Sequence, residues 1–221
     1  VIKRTSNYKN EQNLQKSIAT VAIDSIGSVK AEIQIISSGI QYDQKYQLDI
    51  LSLKDRKEYY TSSYWDNLNN LTLHDIQLLN NREDVIFTEK IKLSIKEHAS
   101  LTSNEMLLLV NVFNKNTHVP KRYRNRSMPL KIERGYQDID ESIIEIPKGY
   151  KVGTLFDDIS IINKFGVYRI SIHKIDENHL KYTRTLLVRE GTYLKEEYKD
   201  YRAFRRKVAK NDRIRVLFIK A

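Results

Sequence analysis

Any chemistry in this chain has to come from a short inventory. It holds five histidines (His74, His98, His118, His173 and His179), two carboxylate groupings, and a run of guanidinium groups beside a tyrosine. There is no cysteine, which excludes thiol nucleophiles, disulfide frameworks and thiolate zinc sites. No two histidines stand at the i, i+4 spacing, with an accompanying Glu, of a metalloprotease helix. His173 and His179 could share a metal only across a hairpin turn, and ordinary surface or hydrogen-bonded roles are the expectation for them. Asp138, Asp140 and Glu141, and Asp157 with Asp158, are paired carboxylates of the kind a glycosidase uses as acid and base. Their spacing assigns the first pair to a water-facing side of a strand and the second to a turn, where carboxylates are solvated. No Gly-x-Ser-x-Gly elbow and no glycine-rich phosphate loop occurs. The expectation is a chain with no catalytic residue, no metal site and no cofactor.

The basic run is the candidate binding site. Lys121, Arg122, Tyr123, Arg124 and Arg126 interleave positive groups with a ring able to stack. No nucleic-acid motif accompanies them, so nucleic acid is not the expected partner; the alternatives for such an electrostatic surface are an anionic envelope polymer, the acidic face of a protein partner, or no ligand. Charge is distributed to match. Residues 1–110 carry 13 basic and 14 acidic side chains, whereas residues 111–221 carry 25 and 14. A second basic group runs through Arg202, Arg205, Arg206, Lys207, Lys210, Arg213 and Arg215.

The elements that must hold these groups follow from periodicity. Val29, Ala31, Ile33 and Ile35 alternate with Lys30, Glu32 and Gln34, the period of a half-buried strand. Ala19, Val21 and Ile23 precede it across Asp24-Ser25-Ile26-Gly27-Ser28, a hairpin turn. Residues 41–69 lose the two-residue period and read as one or two short helices, with Tyr59, Tyr60, Tyr64, Trp65 and Leu68 docked on a sheet. Residues 71–79 and 85–97 form an antiparallel pair around a polar turn. Residues 106–113 read as a fully buried strand. Short strands at roughly ten-residue spacing then fill 128–133, 136–146, 159–162, 166–174 and 180–189, the pattern of a β-sandwich. Tyr198, Tyr201, Phe204 and Val208 make the apolar stripe of one amphipathic helix, with Arg205 among the groups on its other side. Ile214, Val216 and Phe218 close the chain as a strand. The predicted fold is mainly β, an antiparallel β-sandwich with peripheral helices at about 42–68 and 196–210. Its organisation is residues 1–113 (hairpin, helices and antiparallel strands), a basic loop at 114–127, and a C-terminal sandwich at 128–221.

Several landmarks in the second half occur in a recognisable order. They are Arg126-Ser127-Met128-Pro129-Leu130, Ile146-Pro147-Lys148-Gly149-Tyr150-Lys151-Val152, Phe165-Gly166-Val167-Tyr168, and Leu180-Lys181-Tyr182-Thr183-Arg184. Tyr198, Tyr201 and Phe204 with Asp212 and Val216-Leu217 complete the set, preceded near the start by Ser25-Ile26-Gly27-Ser28 and Gly39. In this the chain resembles the C-terminal β-domain that follows a transglutaminase-like core in exported multidomain proteins of Gram-negative bacteria, from about residue 13 to the end. The resemblance implies a non-catalytic accessory or scaffold domain, periplasmic or at the cell surface, partnered by a transglutaminase-like (cysteine protease-type) domain upstream in the same polypeptide. The family's Cys, His and Asp lie upstream of this region, so no catalytic residue carries over. The start at Val1-Ile2-Lys3-Arg4 fits a piece of a longer chain. The longest apolar run, Met106 to Val110, is far short of the roughly 20 residues of a membrane-spanning helix.

Overall fold

The computed structural model describes residues 8–221; the chain start at Val1-Ile2-Lys3-Arg4 lies outside them. Leu14–Ile23 (β1) and Val29–Ser38 (β2) form the expected antiparallel hairpin, with Ala19 opposite Ile33. Its turn closes because Asp24 Oδ1 accepts from the amides of Ile26 and Ser28, at 3.1 and 2.8 Å, while Gly27 takes φ 78°. That conformation is cheap only without a Cβ.

The helical stretch is broken into pieces. Ile40–Asp43 (α1) and a 3-10 turn at Leu48–Ile50 precede Leu53–Tyr59 (α2), which runs into a π turn at Tyr60–Tyr64. Ser52 caps α2, its side chain accepting from Asp55 N at 3.2 Å. The wider π turn stacks Tyr59 on Tyr64 and drops Tyr60 and Trp65 into the core. Trp65 then donates its indole N–H to the Phe113 carbonyl at 2.9 Å, so the aromatic face docks as the spacing predicts.

Leu71–Asn81 (β3) and Ile86–Ile95 (β4) pair antiparallel, followed by Ser100–Leu101 (β5) and Glu105–Leu109 (β6). The strand predicted for 106–113 ends at Leu109, although Val110, Val112 and Phe113 are all buried. Asn111 is the cause: its Oδ1 accepts from Asn114 N at 3.2 Å and its Nδ2 donates to Asn114 O at 3.1 Å. A side chain that bonds its own backbone three residues on bends the chain out of a ladder.

The second half supplies Leu130–Ile132 (β7), Tyr136–Glu145 (β8), Tyr150–Thr154 (β9), Ile159–Asn163 (β10), Gly166–Lys174 (β11), His179–Val188 (β12) and Gly191–Tyr193 (β13). The helix Tyr198–Asn211 (α3) and the strand Arg215–Lys220 (β14) follow. Eight strands make the main sheet, in the order β10-β11-β12-β8-β1-β2-β4-β3; β5-β6-β14-β9 form a second sheet, and β13 pairs with β7. Among the described residues the fold is mainly β, with several antiparallel sheets and no closed barrel. Within the main sheet one pairing is parallel, β1 against β8, with Ser17 opposite Asp140. Parallel neighbours need a long crossover, and here the whole stretch from β2 to β7 provides it.

One face of the main sheet is buried. Val21, Ile33, Ile91, Ile170 and Tyr182 share a contiguous core with Met106, Leu108, Val216 and Phe218 of the second sheet and Phe204 and Val208 of α3. Each such side chain contributes about 1.5–3 kcal/mol by leaving water. Gly166 lets β11 start flush against β12: a Cβ there would stand 1.9 Å from the Leu187 carbonyl oxygen. The same inner face carries polar residues, and these define the chemistry available.

Candidate functional site

Asp138 and Asp140 point inward. Both are buried, which corrects their assignment to a water-facing side. The reason is register: β8 lays Asp138, Asp140, Ser142 and Ile144 on one face, and Arg184 of β12 stands opposite Asp140. Arg184, 1 % exposed, donates from Nη1 to Asp140 Oδ2 and from Nε and Nη2 to the two oxygens of Asp212, all at 2.8 Å. Asn114 Nδ2 donates to Asp140 at 3.1 Å, while Tyr168 O–H and the Asn116 amide donate to Asp212, each at 2.8 Å. Burial works against the guanidinium charge, but Asp212 and Asp140 outweigh it and hold the Arg184 pKa well above its ordinary value. Arg205 is buried too, correcting its placement on the outer side of α3; it donates to Asn116 Oδ1 at 2.9 Å and to the Tyr201 hydroxyl oxygen at 3.2 Å.

Burial pushes Asp140 up as well, and pushes Asp138 up to about 6 against the opposing pull of Arg184. A carboxyl held above its ordinary value of 3.8 keeps its proton in the folded state after the unfolded chain has lost its own. This part of the stability is therefore complete below about pH 4 and is lost as pH rises through about 6. We expect Asp138→Asn to raise the unfolding free energy by about 3 kcal/mol at pH 7.5 and by nearly nothing at pH 4. Urea melts at the two pH values test it; an equal effect at both would contradict the assignment.

A second buried cluster lies where β4 meets the helical stretch. Lys45 Nζ bonds both Glu89 oxygens at 2.9 and 3.1 Å, Tyr60 O–H donates to Glu89, and the Lys45 ammonium sits 3.8 Å from the Tyr64 ring centre. Lys45 and Glu89 are 3 % and 0 % exposed.

The basic loop folds against α3. Arg126 stacks on the rings of Tyr198, at 4.3 Å, and Tyr123, at 5.8 Å, and donates to the Pro129 carbonyl at 3.0 Å. Tyr198 O–H donates to Lys121 O at 2.6 Å and Arg202 Nε to Pro120 O at 2.9 Å. Together these enclose an open depression of about 560 Å3, lined by Arg122, Tyr123, Arg124 and Arg126 and by Lys195, Lys199 and Arg202. Lys121 serves through its backbone and does not line it. Glu196 is the one acidic lining residue and lies 3.9 Å from Lys195. Among the described residues, Arg122, Arg124, Arg126, Lys199 and Arg202 form no ion pair, and Arg126 Nε is buried without an acceptor. Lys199 and Arg202 of α3, with Lys195 of the turn that leads into it, join the loop candidates only because α3 folds onto the loop.

The histidines for which side-chain partners are found each have a different one. His173 pairs with Asp158 at 3.2 Å, His179 with Asp176 at 2.9 Å, and His74 bonds Ser94 at 2.8 Å. Among the described residues, no three of His, Cys, Asp and Glu are grouped to hold a metal. Asp157 and Asp158 are both exposed.

Sequence reading missed Arg184, Asp212, Lys45 and Glu89 as partners. The available signal was parity. Arg184 falls in step with Leu180, Tyr182 and Leu186, and Glu89 with Phe87, Ile91 and Leu93, so each charge occupies an inward position of its strand.

A solved structure described as a "putative protease" from Parabacteroides distasonis aligns at 15 % identity with a TM-score of 0.41. The alignment covers 53 % of this chain and 24 % of that one. This chain thus spans about a quarter of that protein's length. No curated protein matches. Residues 104–218, just over half the chain, match the model of a family described as a Domain of Unknown Function with solved-structure structure (DUF3858), and the chain belongs to that family.

Proposed function

We propose that this chain is a non-catalytic accessory β-module of a longer exported protein with a transglutaminase-like (cysteine protease-type) domain. We place it in the periplasm or at the cell surface of a Gram-negative bacterium. Its own contribution is to hold an anionic envelope polymer or the acidic face of a protein partner. The observation that carries the binding role is the basic depression, where six cationic side chains face one carboxylate. The aromatic stack of Arg126, Tyr123 and Tyr198 fixes its shape, so the charges are presented with little loss of freedom on binding. The accessory role rests on the ordered landmarks of the sequence. The non-catalytic reading is supported by the closed network around Arg184, whose acids and base are spent on one another.

Among the described residues Arg122, Arg124 and Lys199 form no ion pair, so changing all three to Gln should leave the melting temperature within a few degrees. Retention on a heparin or polyphosphate matrix should weaken on the order of a hundredfold at low ionic strength, because each of the three basic groups near an anionic surface contributes about 1 kcal/mol. The native protein should elute progressively earlier as added salt shortens the Debye length. Equal retention of the native and triple-Gln proteins would remove this reading.

A further inference from the structure

We infer that a cleft at the start of β8, separate from the basic depression, is a second binding site, built for a small ligand whose protonated primary amine is received by Asp138. The cleft encloses about 450 Å3 between α1, the π turn and β8, within the range of about 300–1,000 Å3 for small-molecule sites. Asp138 lines it while only 6 % exposed. Gln41 Nε2 donates to its Oδ1 at 2.9 Å, and among the described residues this is the one hydrogen bond the carboxylate receives. Gln41 itself is pinned by reaching the carbonyls of Asn13 and Gln137, at 3.3 and 3.2 Å. A buried carboxylate has room for several donors and is costly with one. An ammonium group brings three donors and the opposite charge.

Charge counting points the same way. The buried charged groups among the described residues are Asp138, which lines the cleft, and Asp140, Asp212 and Glu89 against Arg184, Lys45 and Arg205. Arg184 is shared by Asp140 and Asp212, Lys45 is taken by Glu89, and Arg205 faces Asn116 and Tyr201. Four negative groups meet three positive ones, and the carboxylate left without a contacting cation is Asp138. The rings of Tyr64 and Tyr136 line the same cleft; Tyr64 already carries the Lys45 ammonium, so Tyr136 is the ring that suits a ligand cation. Gln15, Gln44 and Asn114 add amides for a ligand's polar atoms. Arg134, exposed at the cleft, disfavours a second positive group there and favours a carbonyl or carboxylate, so the ligand's amine end goes inward.

The test uses n-butylammonium chloride against sodium butyrate at constant ionic strength, read by NMR on the side-chain amides of Gln41 and Gln44. The amine should produce saturable shifts below about 50 mM that butyrate does not, and its affinity should fall roughly tenfold between pH 7.5 and pH 5. That fall follows from protonation of Asp138, which titrates near 6 with Asp140, Asp212, Arg184, Tyr64 and Tyr136 around it. Asp138→Asn should abolish the response. Shifts that fail to saturate, that butyrate reproduces, or that survive in Asp138→Asn would overturn the assignment. Should that variant not fold, Arg134→Glu at the exposed edge decides: severalfold tighter amine binding supports the site, and unchanged or weaker binding rejects it.

Discussion

Arg184→Met should lower the unfolding free energy by about 3–5 kcal/mol at neutral pH, the range for leaving buried charge without its partner. The guanidinium makes three hydrogen bonds of 2.8 Å to two buried carboxylates, and no solvent reaches the site to replace them. Methionine fills similar space, so the loss reports charge more than volume. Asp140, whose pKa burial already raises with Arg184 opposing, would lose that opposition and rise further. A carboxyl raised in the folded state destabilises most above its folded pKa, so the deficit should shrink as pH falls through the acid range. Adding Asp140→Asn and Asp212→Asn to Arg184→Met should recover much of the loss, because an amide can occupy each position without a charge to strand. Arg184→Lys should not rescue, since a single ammonium cannot span Asp140 and Asp212 with the forked geometry of the guanidinium. Chemical denaturation of the three variants beside the native protein decides it. A loss below about 1 kcal/mol for Arg184→Met would mean that water enters the network.

How far the fold could be read from the chain depended on which forces were local. The β1–β2 hairpin was legible because Asp24 and Gly27 specify its turn within five residues. The helix at Tyr198 was legible because its rings repeat on one face. What escaped were pairings decided at long range. Nothing near Leu14–Ile23 announces that β1 will lie parallel to β8, about 120 residues away, with Gln15 beside Asp138 and Ser17 beside Asp140. That seam turns a polar stretch inward. On its own, Tyr136–Glu145 alternates ambiguously: Asp138 and Asp140 share a face with Ser142 and Ile144, while Ile139 and Ile143 share the other with Glu141. Hydrophobic period alone therefore chose the wrong face, and only the Arg184 opposite explains the right one. The basic loop was half legible for a related reason. Arg122, Arg124 and Arg126 are neighbours in sequence, whereas Lys195, Lys199 and Arg202 reach them only through the docking of α3 by Tyr198.

Lys45 and Glu89 pose the same electrostatic problem with a different sign of outcome. Glu89→Gln leaves a 3 % exposed ammonium facing only Tyr60, Tyr64 and a neutral amide, and should cost about 3–5 kcal/mol at pH 7. Burial already depresses the Lys45 pKa, with Glu89 opposing the effect, so removing the carboxylate depresses it further. The folded variant then binds less than one proton at Lys45 while the unfolded chain, near its ordinary value of 10.5, binds a full one. By linkage, stability of the Gln variant must rise with pH up to that value. The deficit should thus narrow between pH 7 and pH 10, opposite in direction to the acid-side recovery expected for Arg184→Met. Lys45→Met combined with Glu89→Gln removes both charges while Tyr60 O–H keeps an acceptor, and should return to within about 1–2 kcal/mol of the native protein. A double-mutant cycle over these variants isolates the pair. A coupling below about 1 kcal/mol would show that Lys45 finds water or a carbonyl when its carboxylate is gone, and that the packing of Tyr60, Tyr64 and Trp65, not the ion pair, fixes the helical stretch on the sheet.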